Sequence, residues 1–230
     1  MASGVGSQIF CVSLPTKKKD MDSDNVGQGT GVIRNVHLAT DALDYVHDAD
    51  KRWFVVRSSF NRGEKAYDFL LKGDFHAYLP VRLTEKVRGR HLIRAYEPLI
   101  PNILFVYAEE SALRDFMREN KEVDFLSLYY NHFEQDNFGK DKLMEVRTGE
   151  MDNFIRATMV ESPHTMVVDP TKVRYKTGDT VRVVEGDFVG VVGKVARIGG
   201  QSRVVVTLDG VCSIATAYIP SAFLEPYKGS

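Results

Sequence analysis

The sequence predicts an α+β chain: a ferredoxin-like βαββαβ domain followed by a small all-β barrel. Two observations carry this. Over residues 51–160, short aromatic and β-branched runs alternate with stretches of helical spacing, in the order strand, helix, strand, strand, helix, strand, closing helix. From Thr177 onward the helical spacing stops, and alternating strands separated by glycine turns fill the remainder. Between the two, residues 161–175 are polar with Pro163 and Pro170, which marks a linker.

Trp53-Phe54-Val55-Val56 is the first strand. Asn61 and Glu64 have the spacing of a capping box, Ala66, Phe69 and Leu70 follow at helical intervals, and Gly73 ends that helix. His76 to Val81 reads as a strand ending near Pro80, and Val81 to Ala95 as a basic hairpin turning at Gly89. Ile103 to Tyr107 is the next strand. Ser111 caps a second helix with Leu113, Phe116 and Met117 on one face. Val123 to Tyr130 reads as a strand, 137–140 as a turn, and Thr148 opens a third helix with Met151, Phe154, Ile155 and Met159 inward. In the C-terminal part, strands are expected at 180–184, 191–198, 203–208 and 212–219, with turns at Gly199-Gly200 and Asp209-Gly210. Residues 1–50 lack any lasting apolar period and read as a largely disordered leader, with local order allowed from Val36 to Tyr45.

Composition removes several function classes. The 230 residues carry 30 basic and 31 acidic side chains, a net charge of −1, so bulk charge does not drive the chain onto nucleic acid. Two cysteines, Cys11 and Cys212, exclude a disulfide scaffold and suit a reducing compartment. With neither a secretory signal nor an apolar run long enough to span a bilayer, a cytoplasmic location is expected. Six scattered histidines form no His-Glu-x-x-His, and there is no Cys-x-x-Cys, so no metal site is expected. Gly193-Lys194 fails as a phosphate loop because residue 188 is Phe and residue 195 is Val. Gly27, Gly29 and Gly31 follow no strand, and no Gly-x-Ser-x-Gly elbow occurs. The chain is therefore expected not to be an enzyme and to need no cofactor.

Three segments taken in order resemble the NusG family of transcription elongation factors. They are Arg52-Trp53-Phe54-Val55-Val56-Arg57; Ala77-Tyr78-Leu79-Pro80 with Pro98-Leu99-Ile100-Pro101-Asn102-Ile103-Leu104-Phe105-Val106; and the stretch from Gly178 to Val195, which is close to the KOW pattern. The resemblance covers about residues 51–228. It implies an NGN domain over 51–160, a linker at 161–175 and an SH3-like KOW barrel over 176–230. It also implies a monomer that docks on the clamp helices of the largest RNA polymerase subunit, lies near upstream or non-template DNA, and suppresses pausing. Through its barrel such a factor recruits Rho or a small-subunit ribosomal protein.

The sequence departs from the housekeeping pattern. Asn102 and Ile103 stand where the family has Gly-Tyr, and Asp209-Gly210-Val211 where the barrel has Phe-Gly-Arg. It looks more like the specialised paralogues that antiterminate long operons, including those for surface polysaccharides. The alternatives are a housekeeping elongation and termination factor, and a ribosomal or RNA-binding KOW protein.

On this resemblance Tyr78, Leu79, Ile100, Pro101, Ile103 and Phe105 are the expected polymerase-binding residues. Strand alternation places Leu104 and Val106 toward the helices and Ile103, Phe105 and Tyr107 on the opposite face. That face is either an exposed apolar patch or core covered by the third helix. Arg82, Lys86, Arg88, Arg90 and Arg94 form a basic hairpin expected near DNA, where phosphate contacts would make binding salt-dependent, or else a solvated loop. Phe188, Val191 and Asp209 are the expected partner-binding residues of the barrel. Core and turn roles are the alternatives for them.

Overall fold

The computed structural model describes residues 42–88 and 91–228. The N-terminal elements are β1 (Arg52–Ser58), α1 (Gly63–Lys72), β2 (His76–Tyr78), β3 (Val81–Arg88), β4 (His91–Pro98), β5 (Ile103–Ala108) and α2 (Glu110–Glu119). They continue through β6 (Leu126–Leu128), β7 (Tyr130–Gln135), β8 (Asp141–Leu143), β9 (Glu145–Val146) and α3 (Thr148–Met159). The C-terminal elements are β10 (Met166–Val168), β11 (Arg174–Val183), β12 (Val192–Ile198), β13 (Gln201–Leu208), β14 (Cys212–Ala215) and β15 (Leu224–Pro226). All of these elements lie in one compact unit.

The central N-terminal sheet has the order β2-β5-β1-β6, with β9 also pairing β1. This is the ferredoxin-like order, reached because each β-α-β step returns the chain to the same sheet. Strand alternation sorts β5 as expected. Leu104 and Val106 join Ala66 and Leu70 of α1 and Leu113 of α2 in one apolar layer. Phe105 and Tyr107 face the other side, with Trp53, Val55 and α3. The first strand is buried on both faces, Trp53 through Val56 being at most 1% exposed.

Local details differ from expectation. No capping box forms, because Phe60 and Asn61 take left-handed backbone angles (φ 59° and 54°) and α1 starts two residues later. Ser111 lies inside α2 and caps nothing, since that helix begins at Glu110. Residues 121–123 form a turn of 3-10 helix, so the expected strand over 123–130 is cut to β6, and the chain then folds into a separate β7–β8 hairpin. Asn102 keeps the turn that glycine would make: its φ is +61°, a conformation Asn tolerates, and its carbonyl accepts a bond from the Ser58 amide at 2.9 Å.

The C-terminal part is one six-stranded antiparallel sheet, β10-β14-β13-β12-β11-β15. Its first strand comes from the stretch read as linker: Met166, Val167 and Val168 pair with Ala215, Ile214 and Ser213. Gly193 permits the close packing of β12, because a Cβ there would lie 2.3 Å from the Val205 carbonyl oxygen and 2.7 Å from Val204. Cys212 sits in β14, where burial pushes its thiol up to about 12 and keeps it an unreactive thiol at neutral pH.

Candidate protein-binding face and the seam that covers it

The third helix has two working faces. Toward the N-terminal sheet, the ring of Phe154 lies 5.5 Å from that of Phe105 and 6.4 Å from that of Tyr78. One turn on, the Thr158 hydroxyl is 2.5 Å from the Tyr78 hydroxyl. Burial pushes the Tyr78 phenol above its ordinary range, so it stays neutral and hydrogen-bonded. Away from the sheet, Asn153 holds the C-terminal region by two bonds. The Val192 amide donates to its side-chain oxygen at 2.7 Å, and its side-chain nitrogen donates to the Val192 carbonyl at 2.7 Å. Ala157, one turn beyond on the same face, is fully buried.

Further contacts extend this seam. A Cβ on Gly190 would lie 3.7 Å from Arg156 Cδ. Gly210, at φ +74°, sits so close to Met144, between β8 and β9, that a Cβ would be 2.6 Å from its methyl group. The Tyr96 hydroxyl of β4 donates to Glu161 at 2.9 Å. Apolar side chains are continuous across the seam: Ile100, Phe105, Met144 and Phe154 belong to one buried cluster with Phe188, Val191, Val204, Val206 and Ile214.

The expected polymerase-binding residues are not an exposed patch. Tyr78 is 3% exposed, Ile100 8% and Phe105 0%. The reason is α3, which lies across the sheet face that alternation leaves open, with the C-terminal sheet packed on its outer side. Ile103 is half-buried against the same cluster, and Pro101 is exposed beside it. Leu79 parts from the others: it packs on the opposite, α1–α2 side of the sheet.

The basic stretch does form a hairpin, with β3 and β4 in register from Val81↔Pro98 to Arg88↔His91. Arg82 is half-buried and stands opposite Glu97. Lys86, Arg88 and Arg94 occupy strand positions, but their side chains, like all of Arg90, lie outside the described residues. In the C-terminal sheet, Phe188 and Val191 are 6% and 0% exposed in the shared cluster, while Asp209 is exposed on its Asp-Gly turn.

Sequence reasoning passed over Asn153, Asp152, Met144 and Tyr45. Asparagine is a poor helix former, so Asn153 in the middle of a 12-residue helix was the one available signal. Residues 42–50, assigned to the leader, are ordered against the sheet. Tyr45 donates to Asp152 at 2.6 Å and accepts from the Trp53 indole N–H at 3.0 Å. Residues 1–41 of the expected leader lie outside the described residues. Among the described residues no group of His, Cys, Asp or Glu could hold a metal ion, and no helix is long and apolar enough to cross a membrane.

A solved structure titled "Domain interaction in Thermotoga maritima NusG" is similar at 20% identity, over 77% of this chain and 98% of that one, with a TM-score of 0.41. No curated protein matches the chain. The family model described as "Transcription termination factor nusG" matches residues 51–155, which take in β1 through most of α3. Over those residues the chain is similar to the NusG family of transcription factors.

Proposed function

We propose that this chain is a specialised antiterminator. In this reading residues 51–160 bind the clamp helices of the largest RNA polymerase subunit, and the barrel of residues 176–230 recruits a further partner. The complex carries transcription through long operons, such as those for surface polysaccharides. No bond is made or broken. Binding free energy favours the elongating polymerase over the paused one.

The observation that carries the reading is the apolar seam along α3. Ile100, Pro101 and Ile103 sit at its N-terminal side, and Phe188 and Val191 at its C-terminal side. Buried apolar surface that two domains share can be offered to a partner once they separate. Polymerase binding then competes with docking of the C-terminal region, and the partner-binding residues of the barrel are released in the same step. The basic β3–β4 hairpin is placed beside upstream or non-template DNA in this reading. Asp209, exposed where the housekeeping barrel carries an aromatic, disfavours the usual Rho and ribosome contacts.

The test is Ile100→Asp, measured as affinity for purified elongation complexes, with a thermal melt to confirm folding, since an unpaired charge there is disfavoured. At least a tenfold loss of affinity (about 1.4 kcal/mol) in a folded variant is expected. A folded variant that binds like wild type removes the assignment of this surface. Binding of the wild-type barrel to Rho would replace the specialised role with the housekeeping one.

A further inference from the structure

Residues 42–50 belong to no strand or helix, yet they are fastened to the N-terminal sheet by side chains at several points. Ala42 is buried, and its carbonyl accepts a bond from His76 Nε2 at 3.0 Å. The Tyr45 ring lies 4.6 Å from Tyr107, 5.0 Å from His76 and 5.3 Å edge-on to Trp53. His47 stacks on Tyr45 at 5.0 Å and places Nε2 3.9 Å from Asp152. The Asp48 amide donates to the Tyr107 hydroxyl at 2.8 Å. Burial, helped by the bond to Asp152, pushes the Tyr45 phenol above its ordinary range, so the hydroxyl stays a donor.

This has the form of a ligand in a binding cleft. Three aromatic walls (Trp53, His76, Tyr107) hold a ring, and one carboxylate receives its hydroxyl. Because no backbone ladder joins the segment to the sheet, it can leave without breaking a strand pairing. The receiving carboxylate also has a particular neighbour: Asp152 directly precedes Asn153, whose side chain grips Val192 of the C-terminal sheet.

We propose that the cleft of Trp53, His76, Tyr107 and Asp152 is a binding site for the chain's own segment 42–50, and that its occupancy holds α3 in the position that docks the C-terminal sheet. The proposal rests on the competition between docking and polymerase binding argued above, and it adds a second point of control on the same helix. Release of the segment frees the Tyr45-bound end of α3 and loosens the seam.

The full chain supplies its own reporter, since Trp53 is its single tryptophan. In Tyr45→Ala the indole loses the Tyr45 ring that covers its edge and its hydrogen-bond acceptor. Its emission is expected to move to longer wavelength, and exchange of the Val192 amide to speed up at least about fivefold. A peptide of residues 42–50 added to the variant should reverse both changes. Asp152→Ala, which leaves the aromatic walls intact, should accelerate Val192 exchange in the same direction. Unchanged tryptophan emission overturns the cleft. Shifted emission with unchanged Val192 exchange overturns the coupling to docking. If Val192 exchange still rises in Asn153→Ala, the docked seam survives either failure.

Discussion

Replacing Phe154 by alanine lowers the stability of the chain by about 3–5 kcal/mol, the range for removing a fully buried aromatic ring. This side chain is 0% exposed and packs on both Phe105 and Tyr78, so it joins α3 to β5 and β2 at once. Deleting it opens a void between helix and sheet that rigid strands cannot close. The Thr158–Tyr78 hydroxyl pair, one turn away, loses its fixed geometry as well. Urea titration of wild type and variant measures the effect. A loss under about 1 kcal/mol would mean that α3 does not lie on the sheet as described.

Asn153→Ala acts on the other face of the same helix and has the opposite functional sign. It removes two bonds to the Val192 backbone. At about 1 kcal/mol each, their loss shifts the docked-to-undocked ratio by roughly thirtyfold toward the undocked form. The N-terminal domain keeps its core, because Asn153 points away from the sheet. Capture of RNA polymerase at fixed concentration is therefore expected to rise, whereas Ile100→Asp lowers it. Capture that falls in Asn153→Ala, with folding intact, would mean that the seam assists binding instead of opposing it.

Much of the architecture was legible because alternation is a local property. The pattern Leu104/Val106 against Phe105/Tyr107 sorts β5 between its two layers without knowledge of any other strand. The Asp209-Gly210 and Gly199-Gly200 turns are legible for the same reason, each carrying positive φ at its glycines. What covers a face is not local. Alternation leaves Tyr78, Ile100 and Phe105 as an open strip or core, and only the long-range placement of α3 and the C-terminal sheet decides for burial. The Asn61–Glu64 pair has the spacing of a capping box, but bending of the chain at Phe60 and Asn61 takes Asn61 out of capping geometry. Residues 42–50 carry no periodicity because side chains hold them, so no pattern in the sequence could reveal them. Met166–Val168 is too short, between prolines, to announce itself as an edge strand.

The most direct test of the covered seam is backbone 15N relaxation on the wild-type chain, comparing amides in β1 and β5 with amides in β12 and β13. A docked C-terminal sheet tumbles with the N-terminal sheet, and both sets of amides then return one rotational correlation time. Two distinct, shorter correlation times in the wild type would mean that the halves move independently and that nothing of the chain's own masks the face along α3.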